Sequence, residues 1–189
     1  MATNLEHLEP PIRVRPETPG DVEEIRSLVA AAFALAGHCA PPVRAGGPAG
    51  EVDLLEWLRQ DEAWLPDLSL VARWDGHIVG QVTCTRAHVD DAPALGLGPL
   101  SVHPELQGQG VGTALMREVL ARAERAGENL VALLGDPAYY RQFGFVPAKE
   151  LGVASPDVSF GDYFQARSLG TGNHPRGRFQ YAAPFDRLS

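Results

Sequence analysis

A glycine-rich segment between an apolar strand and an amphipathic helix constrains this sequence more than any other feature. The apolar run at 95–102 is followed by Pro104, and Gln107-Gly108-Gln109-Gly110-Val111-Gly112-Thr113 then leads directly into a helical pattern. The first N–H groups of a helix have no partner inside the helix, and the helix dipole adds partial positive charge there. Because glycine lets an anion approach the backbone closely, this segment predicts a pyrophosphate-binding loop.

Three classes of phosphate-binding loop have comparable glycine patterns. A P-loop requires Gly-Lys-Ser/Thr, and the segment contains no lysine. The dinucleotide fingerprint requires Gly-x-Gly-x-x-Gly, but counting from Gly108 and Gly110 puts Thr113 at the third glycine. The coenzyme A pattern, Gln/Arg-x-x-Gly-x-Gly/Ala, is matched in full by Gln107, Gly110 and Gly112. A dinucleotide-dependent oxidoreductase stays open on the glycines alone, although its loop normally follows the first strand of a parallel unit, and here a hairpin precedes the loop.

The rest of the sequence predicts one mixed α/β (α+β) domain over residues 11–189, with a flexible leader at 1–10 and a loop-rich part from about residue 150. Thr18 and Pro19 are typical of a helix N-cap and first turn, and Asp75-Gly76 favours a two-residue type I′ turn. In chain order the predicted elements are a strand at 12–15, a helix from 18, a helix at 51–59, strands at 68–74, 77–85 and 95–102, a helix from 111 to 126 with an apolar face, a strand at 130–134, a short helix at 137–142, a loop at 168–178 and a closing strand at 179–182.

Composition excludes several classes of function. The formal net charge of −8 argues against nucleic-acid binding, because such binding neutralises phosphates with Lys and Arg. No run approaches the roughly 20 apolar residues that span a bilayer, and the first ten residues do not form a secretory signal. Cys39 and Cys84 have neither CxxC nor metal-ligand spacing, so we expect free thiols, no bound metal and a cytoplasmic location.

These segments resemble the GNAT family of N-acetyltransferases. Leu100-Ser101-Val102-His103-Pro104 resembles the family's strand before its coenzyme A loop, which 107–113 matches. Tyr140-Arg141-Gln142-Phe143-Gly144-Phe145 resembles the family's Tyr-x-x-Leu/Phe-Gly-Phe element, and one amphipathic helix and one apolar strand separate it from the loop. The run at 135–140 and the glycine-rich tail are similar to a bacterial branch, the YhbS-like proteins. The resemblance covers roughly residues 12–150 well and the tail loosely.

The resemblance implies a GNAT-type fold, in which helices flank a central and mostly antiparallel sheet. It implies acetyl-CoA as the co-substrate, without a metal. Backbone groups of Leu100 and Val102 would hold the pantetheine arm and face the thioester carbonyl. The loop amides would bind the pyrophosphate, and they belong to Gln107, Gly108, Gln109, Gly110, Val111, Gly112 and Thr113.

The resemblance also implies a catalytic role for Tyr140, which matches the family tyrosine that protonates the departing thiolate. A phenol with a pKa near 10 can donate to a thiolate of similar basicity. Many members carry a glutamate as general base on the strand feeding the loop, but 94–102 contains no acidic residue. The open candidates for the base are Asp90, Asp91, Glu56 and His103, or a chain of waters.

The expected activity is transfer of an acetyl group from acetyl-CoA to a primary amine by direct attack. The acceptor is expected to be a small molecule or a peptide, and the variable segments at 37–50 and 157–178 are expected to form its pocket. A homodimer stays open. Because this glutamate is missing, one alternative stays open: a catalytically silent acyl-CoA-binding sensor or interaction module on the same fold.

Overall fold

The computed structural model describes residues 11–34, 36, 39–170 and 173–188. The predicted leader at 1–10 lies outside the described residues, as do parts of both segments expected to shape the acceptor pocket. The strands are β1 (Arg13–Pro16), β2 (Trp64–Trp74), β3 (His77–Val89), β4 (Ala92–Val102), β5 (Leu130–Leu134), β6 (Val146–Pro147), β7 (Val153–Ala154), β8 (Phe164–Ser168) and β9 (Gly177–Gln180). The α-helices are α1 (Val22–Ala34), α2 (Gly50–Arg59), α3 (Val111–Arg125) and α4 (Pro137–Tyr140). None of the helices in these ranges is long and apolar enough to cross a membrane.

One sheet runs through the described part of the chain in the order β1-β2-β3-β4-β5-β8-β6. Neighbours along it are antiparallel except β4 and β5, which are parallel. Alternate residues of β2 face opposite sides: Val71 packs with α1 and α2, whereas Leu70 and Ala72 pack with α3. Helices therefore cover both faces, which confirms the predicted, mostly antiparallel sheet flanked by helices.

The helix after the glycine-rich loop packs as its sequence pattern predicts. Its apolar face lies in the core, where every member is at most 4% exposed: Val111, Leu115, Met116, Val119, Leu120 and Ala123. Gly80 on β3 allows α3 to approach closely, because a Cβ there would lie 2.7 Å from Val111 Cγ1 and 2.8 Å from Leu115 Cδ1. Gly127, with a φ of 79°, follows the last turn and ends the helix as predicted.

The start of α1 is fixed by Asp21. Its carboxylate accepts hydrogen bonds from the Thr18 N–H at 2.7 Å and from the Thr18 hydroxyl at 2.9 Å. The Arg15 guanidinium donates to both carboxylate oxygens, at 2.7 and 2.9 Å. These Arg15 hydrogen bonds favour the charged form, so the pKa of Asp21 lies well below its ordinary value. Thr18 is the N-cap of the 3-10 turn that leads into α1, which confirms the predicted start.

Replacing Asp21 with asparagine should lower the free energy of unfolding by about 2 kcal/mol near neutral pH. The depressed pKa means that the carboxylate contributes stability above its unfolded pKa of about 3.9, and that this contribution disappears as the pH falls toward the folded pKa. The stability difference between wild type and Asp21→Asn should therefore shrink as the pH falls from about 5 to about 2. Urea unfolding at several pH values measures it, and a difference that is constant across this range would contradict the electrostatic explanation.

The hairpin of β2 and β3 turns at Asp75-Gly76, whose positive φ angles of 47° and 83° fit the predicted type I′ turn. Both strands run longer than predicted, since β2 begins at Trp64 and β3 continues to Val89. The predicted break at 90–93 is only a two-residue turn, because β4 begins at Ala92. The end of β3 is stabilised by long-range partners, as it pairs with β4 on one side and β9 on the other.

The predicted loop at 168–178 is wrong at both ends. β8 extends to Ser168 and pairs antiparallel with β5 along its whole length, and β9 begins at Gly177. Gln165 is a polar residue of β8, yet it is buried, and its Nε2 donates to the Gly135 carbonyl at 2.8 Å. The partner strand, rather than local propensity, makes this segment a strand. The predicted closing strand at 179–182 overlaps β9 only at its first two residues, because β9 ends at Gln180.

Candidate functional site

The parallel pair at the centre of the sheet separates halfway along β4. Its pairing with β5 stops at Leu97, and no described strand continues it on that side. On the opposite edge, the His103 N–H donates to the Val79 carbonyl at 2.9 Å. Since backbone groups alternate in direction along a strand, the N–H and C=O of Leu100 and Val102 face the side that β5 has left. An extended ligand with amide groups can pair with this open edge.

The open edge leads into the glycine-rich loop. Gln107 Nε2 donates to the Val102 carbonyl at 3.3 Å, which ties the loop to the strand. Gly108 and Gly110 have φ angles of 75° and 92°, a conformation that residues with a Cβ rarely adopt. Gly110 is the N-cap of α3, so the left-handed turn sits where the chain enters the helix.

The first turn of α3 presents unpaired N–H groups. The first hydrogen bond inside the helix joins the Ala114 N–H to the Gly110 carbonyl, so those of Val111, Gly112 and Thr113 have no partner within the helix. This turn contains no acidic residue, and no described side chain caps it. The partial positive charge at this helix end is therefore available to a pyrophosphate.

The loop and the open edge are joined by the contact of Gln107 with Val102. A ligand with a pyrophosphate next to an extended, amide-bearing arm would use both, and coenzyme A has this chemistry. A dinucleotide would use the loop and leave the Leu100 backbone groups and the Val102 N–H without partners. The residues present therefore fit coenzyme A better than a dinucleotide.

Tyr140 lies at the end of α4, which follows β5. Its ring packs edge-on against Phe145 with a centroid distance of 5.8 Å. It also lies against Gly135, where a Cβ would be 2.3 Å from Tyr140 Cε2. Burial raises the pKa of Tyr140 above its ordinary value, and the nearby Tyr139 adds to the rise. The phenol therefore stays protonated and keeps a proton that it can donate.

Two further tyrosines lie near this position. The hydroxyl of Tyr139 reaches the first turn of α3, because a Cβ on Gly112 would lie 2.6 Å from it. The ring of Tyr181 lies over Gly96 of β4, with 2.8 Å between Tyr181 Cδ1 and a Cβ placed there. Burial raises the pKa of Tyr181, and the neighbouring Tyr140 contributes. Tyr181 could not be predicted from the sequence, since its position depends on the pairing of β9 with β3.

Asp90 and Asp91 lie far from the open edge. They form the turn before β4, roughly 30 Å along the strand from Leu100. Asp90 also accepts a hydrogen bond from the Arg178 N–H at 3.0 Å, which fastens β9 to this end of the sheet. The structure therefore removes both aspartates from the candidates for a general base.

The other two candidates for the general base, Glu56 and His103, also make their contacts away from the open edge. Glu56 pairs with Arg26 across the exposed surface between α1 and α2. His103 lines a cleft with Trp74 and His77 at the end of the β2–β3 hairpin, on the far side of Val102 from Leu100. Neither candidate is directed to the open edge by a contact in the described part of the chain.

The comparison with known families agrees with this geometry. The family model described as "Acetyltransferase (GNAT) family" matches residues 31–145, which is more than half of the chain. The chain therefore belongs to the GNAT acetyltransferase family, as its sequence motifs indicated.

Individual relatives are similar over part of their length. The uncharacterized N-acetyltransferase YjhQ of Escherichia coli K12 is 41% identical over 118 residues, which are 60% of this chain and 65% of YjhQ. The uncharacterized N-acetyltransferase YhbS of the same strain is 37% identical over 98 residues, which are 50% of this chain and 58% of YhbS. The matched region thus spans less than two thirds of either relative.

Solved structures match over nearly the whole chain. A GNAT family acetyltransferase from Brucella melitensis, in complex with acetyl-CoA, is 34% identical with a TM-score of 0.73, covering 93% of this chain and 98% of that one. YhbS from Escherichia coli, in complex with CoA, is 27% identical with a TM-score of 0.80, covering 97% of each chain. These neighbours confirm the fold, and both bind a form of coenzyme A.

Proposed function

We propose that this protein transfers the acetyl group of acetyl-CoA to a primary amine by direct attack. The observation that carries the proposal is the open edge of β4 at Leu100 and Val102, joined by Gln107 to the glycine-rich N-terminus of α3. Family membership and the coenzyme A bound in the solved neighbours support it. The acceptor is a small-molecule or peptide amine, and a cytoplasmic location stays a prediction.

The chain's own groups would divide the chemistry between them. Bound acetyl-CoA would supply an activated thioester that a neutral amine can attack with loss of the coenzyme A thiolate. The Leu100 N–H, on the open edge, would donate a hydrogen bond to the carbonyl oxygen as negative charge develops on it. Tyr140 Oη would donate its proton to the departing sulfur, and the proton lost by the amine would restore the phenol through water.

Amine-dependent formation of free coenzyme A tests the proposal. Purified protein is mixed with acetyl-CoA and, in turn, with hydroxylamine, spermidine, amino-acid amides and lysine peptides. Free coenzyme A is quantified by chromatography, because the exposed Cys39 would react with a colorimetric thiol reagent. Turnover that requires an amine supports the enzyme. Saturable acetyl-CoA binding without any amine-dependent turnover would instead support the acyl-CoA sensor, which stays open because residues 94–102 contain no acidic residue.

Replacing Gly135 with alanine should displace Tyr140, because the new Cβ would overlap the tyrosine ring at 2.3 Å. A catalytic group moved by about 1 Å loses much of its effect, so we expect turnover to fall by roughly tenfold or more with acetyl-CoA affinity nearly unchanged. Gly20→Ala is the control, since its Cβ would make only an ordinary contact of 3.9 Å. Equal turnover in Gly135→Ala and Gly20→Ala would show that the position of Tyr140 is unimportant.

A further inference from the structure

A chain of buried hydrogen bonds crosses the sheet face that α1 and α2 cover. It begins at Glu17, whose carboxylate pairs with Arg59 at 2.7 Å. Ser69 Oγ lies 3.0 Å from Glu17 Oε2 and 3.1 Å from Thr83 Oγ1. Thr83 Oγ1 in turn lies 2.6 Å from Gln81 Nε2. Ser69, Thr83 and Gln81 are all 0% exposed.

The direction of every hydrogen bond in this chain is fixed by its first member. A carboxylate paired with arginine only accepts, so the Ser69 hydroxyl must donate to Glu17. Ser69 then has no proton left for Thr83, and Thr83 must donate to Ser69. Thr83 therefore accepts from Gln81, which requires the Nε2 side of the Gln81 amide. The network thus holds Gln81 Oε1 pointing away from Thr83 as a bare acceptor.

No group in the described ranges donates a hydrogen bond to Gln81 Oε1, although the atom is fully buried. The same holds for the hydroxyl of Ser101, which is 2% exposed and lies directly opposite Gln81 in the β3–β4 register. Side chains opposite each other in an antiparallel pair have Cβ atoms about 5 Å apart. Buried polar atoms without partners are rare, because each costs about 1–3 kcal/mol. Two such atoms on neighbouring residues therefore indicate a position where a ligand could supply the missing hydrogen bonds.

These two residues lie beside the proposed cofactor edge. Ser101 is located between Leu100 and Val102, whose backbone groups face the opening left by β5. On the α3 side, β4 is packed with apolar side chains, whereas the Gln81 side is polar. An amine that attacks a thioester held by Leu100 would therefore meet the buried polar atoms of Gln81 and Ser101 on this face.

We infer that Gln81 and Ser101 hold the attacking amine, with Gln81 Oε1 accepting one of its N–H groups; this inference rests on the proposed acetyl transfer. Both groups are uncharged, so they would bind the amine in its neutral, nucleophilic form. The Glu17 carboxylate, at the other end of the hydrogen-bond network, polarises the Gln81 amide through Ser69 and Thr83. Glu17, Ser69 and Thr83 are positioning residues in this arrangement.

Gln81→Met and hydroxylamine provide the test, since hydroxylamine is small and largely neutral at neutral pH. Methionine has nearly the same length and removes the bare acceptor. We expect kcat/KM for hydroxylamine to fall by about tenfold or more, with acetyl-CoA affinity unchanged and the melting temperature unchanged or higher. Thr83→Val frees the Gln81 amide to rotate and should produce a smaller loss.

Thr85→Val is the matched control, because Thr85 is a buried residue of the same strand and face whose hydroxyl also lacks a partner among the described groups. It lies about 13 Å along β3 from Gln81, so its kcat/KM should equal that of wild type. If Gln81→Met retains wild-type kcat/KM, or loses stability without losing kcat/KM, the inference is wrong and acetyl transfer stands. If wild-type protein binds acetyl-CoA but turns over no amine, the proposed function fails and the inference fails with it.

Discussion

Replacing Gly110 with leucine should abolish saturable binding of acetyl-CoA. Gly110 has a φ of 92° at the N-cap of α3, and an L-residue with a side chain is strained there by about 1–2 kcal/mol. To relieve the strain the loop must rearrange, and the N–H groups of Val111, Gly112 and Thr113 would no longer converge on one anion. We expect Kd to rise by more than about a hundredfold, measured by isothermal titration calorimetry.

Gly127→Leu is the control for Gly110→Leu. Gly127 also has a left-handed φ, 79°, and a Cβ there would meet no atom within 4 Å. It lies beyond the other end of α3, roughly 25 Å from Gly110. It should lose similar stability and keep wild-type affinity for acetyl-CoA. If both variants bind normally, the loop does not hold the pyrophosphate.

Tyr140→Phe should lower kcat for amine acetylation by about a hundredfold or more with little change in the affinity for acetyl-CoA. No described group hydrogen-bonds the Tyr140 hydroxyl, so its removal leaves the packing against Phe145 and Gly135 intact. Because burial raises the pKa of Tyr140, the phenol should remain protonated to about pH 10, and wild-type kcat should not fall from its ionisation below that pH. Steady-state kinetics across pH, together with calorimetric titration of acetyl-CoA, measures both parts.

Tyr163→Phe is the matched control, since the Tyr163 side chain is 56% exposed and only its backbone carbonyl, which the substitution keeps, bonds to Gly135 among the described contacts. It should be indistinguishable from wild type. A Tyr140→Phe variant with wild-type kcat would reduce Tyr140 to a packing residue and leave the departing thiolate to be protonated by water.

Local sequence signals predicted the elements whose conformation is set within a few residues. The Asp75-Gly76 turn, the Thr18 cap and the end of α3 at Gly127 all follow from backbone preferences of those residues. β8 was missed because its sequence, Phe-Gln-Ala-Arg-Ser, alternates apolar and polar residues over only four positions, which is too short a pattern to distinguish a strand from a loop. It becomes a strand by pairing with β5 some 30 residues earlier, and this pairing cannot be predicted from the residues of β8 alone.

The candidate site divides in the same way. The glycine-rich loop was recognisable because the backbone freedom of glycine and a helix N-terminus are both visible in sequence. The direction in which Leu100 and Val102 present their backbone was not, since it depends on β5 leaving β4 after Leu97. The role inferred for Gln81 was also invisible, because the hydrogen bonds that orient its amide begin at Glu17, 52 residues before Ser69.

A thermal-shift titration with acetyl-CoA tests the central claim most directly, with coenzyme A and NAD run alongside. A ligand at 100 times its Kd should add about 2.7 kcal/mol of stability. The loop and the open edge of β4 predict saturable stabilisation by both forms of coenzyme A and none by NAD. An unchanged melting temperature with both forms of coenzyme A would contradict the assignment of residues 107–113 as the cofactor loop, and the fold would stand without its proposed function.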